Sequence, residues 1–252
     1  MKAEELERYA RHLVLSEIGI KGQKRLLKSR VAIAGCGALS NVVANNLSRA
    51  GVGEIKIIDS DFVKLSDLQR QLFFTEGNIG QAKVKVLAER IKMINSAVEV
   101  IPIMKKLSSK NVEKIIKGSE LVLDGLDNFE SRFVVNDACI KNSLPWIYTA
   151  VLSTYGVTMN IIPGKTPCLR CLLKKLPTTT VLTTEQVGIL NTVPVVMGSI
   201  ESTEALKILL GTKPRDSLLL YDVWNTEFRE IRVKRQKNCK CCGKREFEFL
   251  HR

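Results

Sequence analysis

Long apolar runs are missing from this chain: no stretch approaches the roughly 18 residues needed to cross a bilayer, so a membrane role is not expected. The N-terminus, Met1-Lys2-Ala3-Glu4-Glu5, has acids where a secretory leader needs an uninterrupted apolar segment, and the two absences together predict a cytoplasmic protein. Aromatic residues make up only 6% of the chain and are scattered, which leaves no base-stacking surface and makes nucleic acid a poor candidate partner. Acids are also in short supply, 26 against 39 lysines and arginines, for a formal charge of +13. That balance favours acidic partners such as phosphates or an acidic protein. The basic residues are nevertheless spread through helix-like segments and the tail from Arg229 to Arg245, as on an ordinary solvated surface. There is no internal repeat and no low-complexity linker, and 252 residues suit one large α/β domain or two small ones.

What the chain does have is two Cys-x-x-Cys clips, Cys168/Cys171 and Cys239/Cys242. Two residues between cysteines let both thiolates turn onto one metal, and four sulfurs complete the tetrahedron that zinc accepts without an open position for water. Such a site stabilises rather than catalyses. Turn-like surroundings, Thr166-Pro167 before the first clip and Gly243 after the second, favour this over unrelated buried cysteines. Cys241, inside the second clip, is either a spare ligand or a bystander. Seven cysteines without a leader fit a reducing compartment, where such pairs hold metal more often than disulfides.

The first part of the chain alternates strand and helix. Val31–Ala34 reads as a short buried strand, Asn41–Ala50 as a helix stopped by Gly51, and Glu54–Asp59 as a second strand ending in an acid. A helix near Gln81–Asn95, a strand near Val98–Ile103, a helix near Lys110–Lys117 and the strand Leu121–Asp124 continue the pattern. This predicts a mainly parallel sheet with helices on both faces. From about Trp146 the texture changes: Val151–Ile162 reads as a meander, Val195–Leu210 as a helix, and Leu218–Tyr221 with Phe228–Val233 as paired antiparallel strands. The stretch from Pro177 to Thr184 is polar and poor in core formers, which predicts a mobile segment.

Between the first strand and its helix lies Gly35-Cys36-Gly37-Ala38-Leu39-Ser40, a phosphate-type turn whose third glycine is replaced by serine. Glycines there permit a tight bend and bring backbone N–H groups close to phosphate at a helix N-terminus. Asp59 closes the second strand where an acid usually meets ribose hydroxyls, and Asp61 follows at once. Arg70 in Leu68-Gln69-Arg70-Gln71, Lys83 in Gly80-Gln81-Ala82-Lys83, and the acids of Asp124-Gly125-Leu126-Asp127-Asn128 all fall near the carboxyl ends of strands. Ligands bind at those ends in open α/β sheets, so the residues are expected to converge on one crevice.

These motifs, taken in order with Arg8-Tyr9-Ala10-Arg11, Gly22-Gln23, Ala50-Gly51-Val52-Gly53 and Pro167-Cys168-Leu169-Arg170-Cys171, resemble the ubiquitin-activating-like adenylyltransferases of the MoeB/ThiF/HesA family nearly end to end. The resemblance implies one Rossmann-like domain over 1–252: an N-terminal helical segment at 1–30, a nucleotide-binding part at 31–150, and a partner-binding part at 151–252 with C-terminal antiparallel strands and the zinc clip. It implies a homodimer that uses ATP and Mg2+ to adenylylate the C-terminal Gly-Gly carboxylate of a small ubiquitin-like (β-grasp) sulfur-carrier protein. In that setting Gly35, Gly37 and Ala38 would face the phosphates, Arg70 and Lys83 would hold them, and Asp59 with Asp61 would fix the ribose. Asp127, beside Asn128, would hold magnesium, and Arg11 would reach the partner subunit's nucleotide as an arginine finger, a role that suits a planar, permanently charged donor.

Three positions depart from the family pattern. Ala38 stands where a further glycine is usual and is expected to narrow the nucleotide's approach. Asp67 stands where the family usually has Asn; a carboxylate there repels phosphate unless magnesium or Arg70 offsets it, so Asp67 is a candidate marker of a shifted metal site. Thr184 stands where many relatives carry a cysteine, which predicts adenylylation without a stable enzyme thioester or persulfide there. Two other readings compete. A dinucleotide oxidoreductase would use the glycine turn and Asp59 but leave Arg70, Lys83, Asp127 and the clips without a shared task. A noncatalytic scaffold would account for the three departures.

Overall fold

Val31, Ala32, Ile33 and Ala34 form a continuous apolar run that is buried on both sides, as a central parallel strand requires. Strand β1 (Arg30–Ala34) accordingly lies between β2 (Glu54–Asp59) and β4 (Leu121–Asp124), with β3 (Glu99–Met104) beyond β2, and all of these pair in parallel. The computed structural model describes residues 1–177 and 183–251, so the central part of the polar stretch read as mobile lies outside the described residues. Strand β5 (Trp146–Leu152) adds in parallel to β4; β6 (Tyr155–Ile161), β7 (Leu218–Asp222) and β8 (Glu227–Ile231) follow antiparallel. The result is one eight-stranded sheet in the order β3-β2-β1-β4-β5-β6-β7-β8. The change of texture near Trp146 therefore begins one strand before the change of direction, and the 150/151 boundary falls inside β5.

Short helices α1 (Ala3–Arg8), α2 (Ala10–Leu13) and α3 (Gly19–Leu26) precede the sheet. Helix α4 (Ala38–Ala50) follows β1 and stops at Gly51 in the left-handed conformation, a common helix end. Helix α5 (Lys83–Ile94) links β2 to β3; α6 (Val112–Ile116) links β3 to β4; α7 (Phe129–Lys141) links β4 to β5. Turns α8 (Leu169–Leu172) and α9 (Thr184–Val187) precede the long α10 (Thr192–Leu210), which returns to the sheet before β7.

Period-two alternation sorts the core onto two faces. Val31, Ile33, Ile55, Ile57, Leu121 and Leu123 meet Leu26, Leu47, Leu87, Ile91 and Leu209 of α3, α4, α5 and α10. Ala32, Ala34 and Val122 meet Ile115, Ile116, Phe133 and Ile140 of α6 and α7, in one cluster with the clip cysteines. Side chains of this size contribute roughly 1.5–3 kcal/mol each when fully buried, so both layers are firmly held.

Candidate active site

β1 leads by α4 to a strand on one side, and its other neighbour is β4, so the chain reverses its direction of winding between β1 and β4. At such a switch point the loops after the two strands diverge and open a crevice. The phosphate-type turn follows β1, and Asp124–Asn128 follows β4, so both motifs line it.

The two loops interlock through glycines. Gly35 has a φ of +98°, and a Cβ there would lie 2.3 Å from the Gly125 carbonyl oxygen; a Cβ on Gly125 would overlap Ser40 Oγ. Ser40, in place of the third fingerprint glycine, fills the space Gly125 leaves. Gly37 meets nothing closer than 3.8 Å, so packing within the chain does not demand a glycine there. Gly37 caps α4, and Ala38 is the first residue of the helix.

Asp59 sits at the end of β2 and ties into the turn. Its Oδ2 accepts the Cys36 amide at 2.7 Å and its Oδ1 accepts the Asp61 amide at 2.8 Å. Burial pushes its carboxyl above the ordinary range, against the pull of those two N–H groups. Asp61 itself is exposed, and its carbonyl accepts the Lys83 amide, which fixes the start of α5 to the end of β2.

Lys83 and Arg70 meet at Asp67. Lys83 Nζ lies 3.2 Å from Asp67 Oδ2 and Arg70 Nη2 lies 3.6 Å from Oδ1, while Arg70 Nη1 donates to the Ser66 carbonyl at 2.7 Å. Asn41 of α4 anchors the segment: its Oδ1 accepts the Phe73 amide and its Nδ2 donates to the Gly37 carbonyl. One asparagine thus joins the cation-bearing segment to the phosphate-type turn.

Of the two acids at and just after the end of β4, one is committed. Asp124 is buried, and its Oδ2 takes Arg132 Nε at 2.9 Å while its Oδ1 accepts the Leu126 amide. Arg132 Nη2 also donates to the carbonyls of Leu126, at 2.5 Å, and of Thr149, so one guanidinium wraps the loop from inside. Burial still raises the Asp124 carboxyl despite Arg132. Asp127 is left exposed, and among the described residues its Oδ1 accepts only from the neighbouring Asn128 amide group. Asn128 Oδ1 accepts the Ser131 amide and caps α7. An exposed carboxylate beside the phosphate-type turn suits magnesium, which is usually bound by one or two carboxylates plus substrate phosphates.

Beneath β4, Glu201 of α10 is fully buried; its Oε1 accepts the Asp124 amide at 2.9 Å, and its Oε2 has no partner within hydrogen-bond distance among the described residues. Burial, then the nearby Asp124 carboxylate, raises its carboxyl well above the ordinary range. Sequence reading passed over Arg132, Glu201, Asn41 and Gly125 as site residues; only Gly125, next to an acid after a strand, carried a local signal.

Arg11 lies apart from this crevice. It is exposed on α2 and makes no ion pair among the described residues. Tyr9, two residues earlier, accepts from Asn95 Nδ2 and abuts Gly51, at the far end of α4. The 13 residues of α4 separate that end from the phosphate-type turn by about 20 Å, beyond the reach of one arginine.

The four clip cysteines converge, all Sγ atoms lying within 4.8 Å of one another. Cys168 and Cys239 are 3.7 Å apart and Cys171 and Cys242 3.4 Å apart, close to the ~3.8 Å edge of a tetrahedron with 2.3 Å zinc–sulfur bonds. The set is compatible with zinc. It follows β6, whose end pairs with Trp146 at the start of β5, so it lies toward the amino ends of the parallel strands rather than among the loops that line the crevice. Cys241 is buried and takes Asn136 Nδ2 at 3.2 Å, while Cys36 and Cys139 are buried in the core. Thr184 begins α9.

The order β3-β2-β1-β4-β5, with a glycine turn, a strand-end acid and paired cations at its switch point, defines a doubly wound nucleotide-binding protein. Residues 9–242 match the ThiF family, and the chain belongs to that family. It is 38% identical over 247 residues to the sulfur carrier protein ThiS adenylyltransferase of Bacillus subtilis, covering 96% of this chain and 73% of that protein. It is 34% identical to the SAMP-activating enzyme E1 of Haloferax volcanii, covering 96% and 91%, and 36% identical to a sulfur carrier protein adenylyltransferase of Thermus thermophilus, covering 95% and 92%. Among solved structures, E. coli MccB aligns with a TM-score of 0.83 at 22% identity, covering 94% of this chain and 75% of that one, which supports the fold.

Proposed function

We propose that this protein is an adenylyltransferase of the ubiquitin-activating-like class, which transfers AMP from ATP to the C-terminal Gly-Gly carboxylate of a ubiquitin-like sulfur-carrier protein. The names of its relatives support the reaction. The observation that carries the reading is the convergence of the Gly35 turn, Asp59, the Arg70–Lys83 pair and the free Asp127 on the β1/β4 switch point.

In the reaction, a carrier carboxylate oxygen attacks the α-phosphorus of ATP, the bond to the bridging oxygen breaks, and pyrophosphate leaves with that electron pair. Both reactants are anions, so the protein acts mainly by positioning them and cancelling charge. The Gly35–Ala38 turn and the N-terminus of α4 face the phosphates. Asp59, held by two amides, is placed to accept from ribose hydroxyls. Arg70 and Lys83 offer the cations for the phosphate chain. Asp127 would hold magnesium, which neutralises charge on the phosphate oxygens when bound. No group on the chain is needed as a covalent nucleophile, in keeping with Thr184 where many relatives have cysteine.

The position of Arg11 supports a homodimer in which each arm serves the other subunit's site, and the exposed Val14, Leu15 and Ile20 beside it supply apolar surface for such contact. The cysteine cluster would hold a structural zinc far from the chemistry. No helix among the described residues is long and apolar enough to cross a membrane, and a set of four thiols suits the reducing cytoplasm. The parts 1–30, 31–150 and 151–252 act as arm, nucleotide site and carrier platform of one domain. Asp127→Ala tests the assignment: ATP/pyrophosphate exchange should fall at least about a hundredfold, the usual scale for losing an electrostatic contact to the transition state, with the melting temperature unchanged. An unchanged exchange rate would remove Asp127 from the mechanism.

A further inference from the structure

The carboxylate at position 67 is more heavily engaged than any other in the crevice. Asp67 is only 4% exposed. Its Oδ2 receives Lys83 Nζ at 3.2 Å and the Lys64 amide at 3.0 Å, and its Oδ1 receives Gln71 Nε2 at 2.7 Å and lies 3.6 Å from Arg70 Nη2. Two hydrogen bonds and two cations occupy its two oxygens, which argues against the shifted metal site that the sequence suggested. Within ion-pair distance, and among the described residues, Arg70 and Lys83 meet Asp67 alone, although Lys83 also pulls on the Asp59 carboxyl from further away. Lys83 is itself nearly buried, with 8% of its side chain exposed, so water screens this pair little.

We propose that Asp67 is a built-in counter-anion of the phosphate cradle, so that nucleotide phosphates bind by competing with a carboxylate for Arg70 and Lys83. This inference rests on the reading of those two residues as phosphate binders. With Asp67 the local group carries one net positive charge; with the asparagine usual in the family it would carry two. Asp67 therefore sets the strength of phosphate binding and trades affinity for cations held in place. An amide at position 67 keeps an oxygen for the Lys64 amide or Gln71 but gives up its hold on Lys83. Its removal should strengthen binding in proportion to the negative charge of the ligand, a dependence that simple loosening of the loop would not produce.

Calorimetric titration of the full chain and of Asp67→Asn with adenosine, AMP and ATP, each with and without magnesium, tests this. Adenosine affinity should be unchanged, AMP affinity should rise slightly, and magnesium-free ATP should bind about tenfold more tightly, as expected for one charge-assisted contact. The gain should shrink with magnesium, which offsets two of the ligand's charges. Asp67→Ser, which removes the same charge and leaves a hydroxyl acceptor, should repeat the ladder and serves if the asparagine variant folds poorly. Equal or weaker ATP binding in the folded variants would overturn the proposal, as would a loss confined to Mg-ATP, the mark of a metal ligand. Arg70→Ala and Lys83→Ala in the otherwise native chain separate the two levels. If neither weakens ATP binding, the phosphate cradle itself is misassigned; if they do and removal of the Asp67 charge gives no gain, only the counter-anion role fails.

Discussion

Glu201 is buried beneath the loop that carries Asp127, with one oxygen on the Asp124 amide and the other lacking a close hydrogen bond among the described residues. Because burial and the Asp124 carboxylate raise its folded-state pKa above the ordinary 4.5, the folded protein binds a proton there more tightly than the unfolded chain does. The stability this confers is fully present below pH 4.5 and is lost as pH rises through the higher folded value. Glu201→Gln mimics the protonated form, so its melting temperature should exceed that of the native protein at pH 8, by about 2–4 °C for each kcal/mol recovered, and the two should converge as pH falls toward 4.5. A constant difference across the range would mean that Glu201 is not held neutral. The contrast with Asp59, Arg70, Lys83 and Asp127 shows what a sequence exposes. Asp59 ends a strand, Lys83 starts a helix, Asp127 lies between strand and helix, and Arg70 sits in a motif of recognisable residue types, so position and residue type speak together. Glu201 and Arg132 act on backbone groups and carboxylates supplied by other elements, and nothing local marks them.

The elements show the same limit. Strands β1, β2 and β4 were legible because short apolar runs end at glycine or acid. Helix α7 was not, because Arg132 to Ile140 are all buried and give no period to read. The sheet covers one side of α7 and the cysteine-bearing tail the other: Asn136 Oδ1 accepts the Leu169 amide, and Asp137 lies 3.5 Å from Arg170 and accepts the Phe249 amide. The clip thus secures the helix that begins beside Asp127. Cys168→Ser should lower zinc content below one equivalent per chain and lower the melting temperature, since metal binding free energy of this kind adds to folding. Zinc retained at one equivalent would sink the four-cysteine assignment. The parallel pairing of β5 was likewise hidden: its sequence cannot say that α7 returns the chain to run alongside β4.

In the proposed homodimer, assembly decides how the crevice is completed. Arg11 sits at the wrong end of α4 to serve its own chain, so a dimer predicts complementation. A preparation refolded from equal amounts of Arg11→Ala and Asp127→Ala chains forms mixed dimers in which one site has both its own Asp127 and the partner's Arg11. Half the dimers then carry one intact site, and about a quarter of native exchange activity should return, while either variant alone stays inactive. No recovery in dimers shown to be mixed would place Arg11 outside the partner's site.

The most direct test of the account is ATP/pyrophosphate exchange by the purified protein with magnesium and a panel of small β-grasp proteins ending in Gly-Gly, each paired with a version lacking those glycines. Exchange should require an intact carrier and vanish on removal of its Gly-Gly end. ATP binding without exchange for any carrier would contradict it and favour a noncatalytic scaffold.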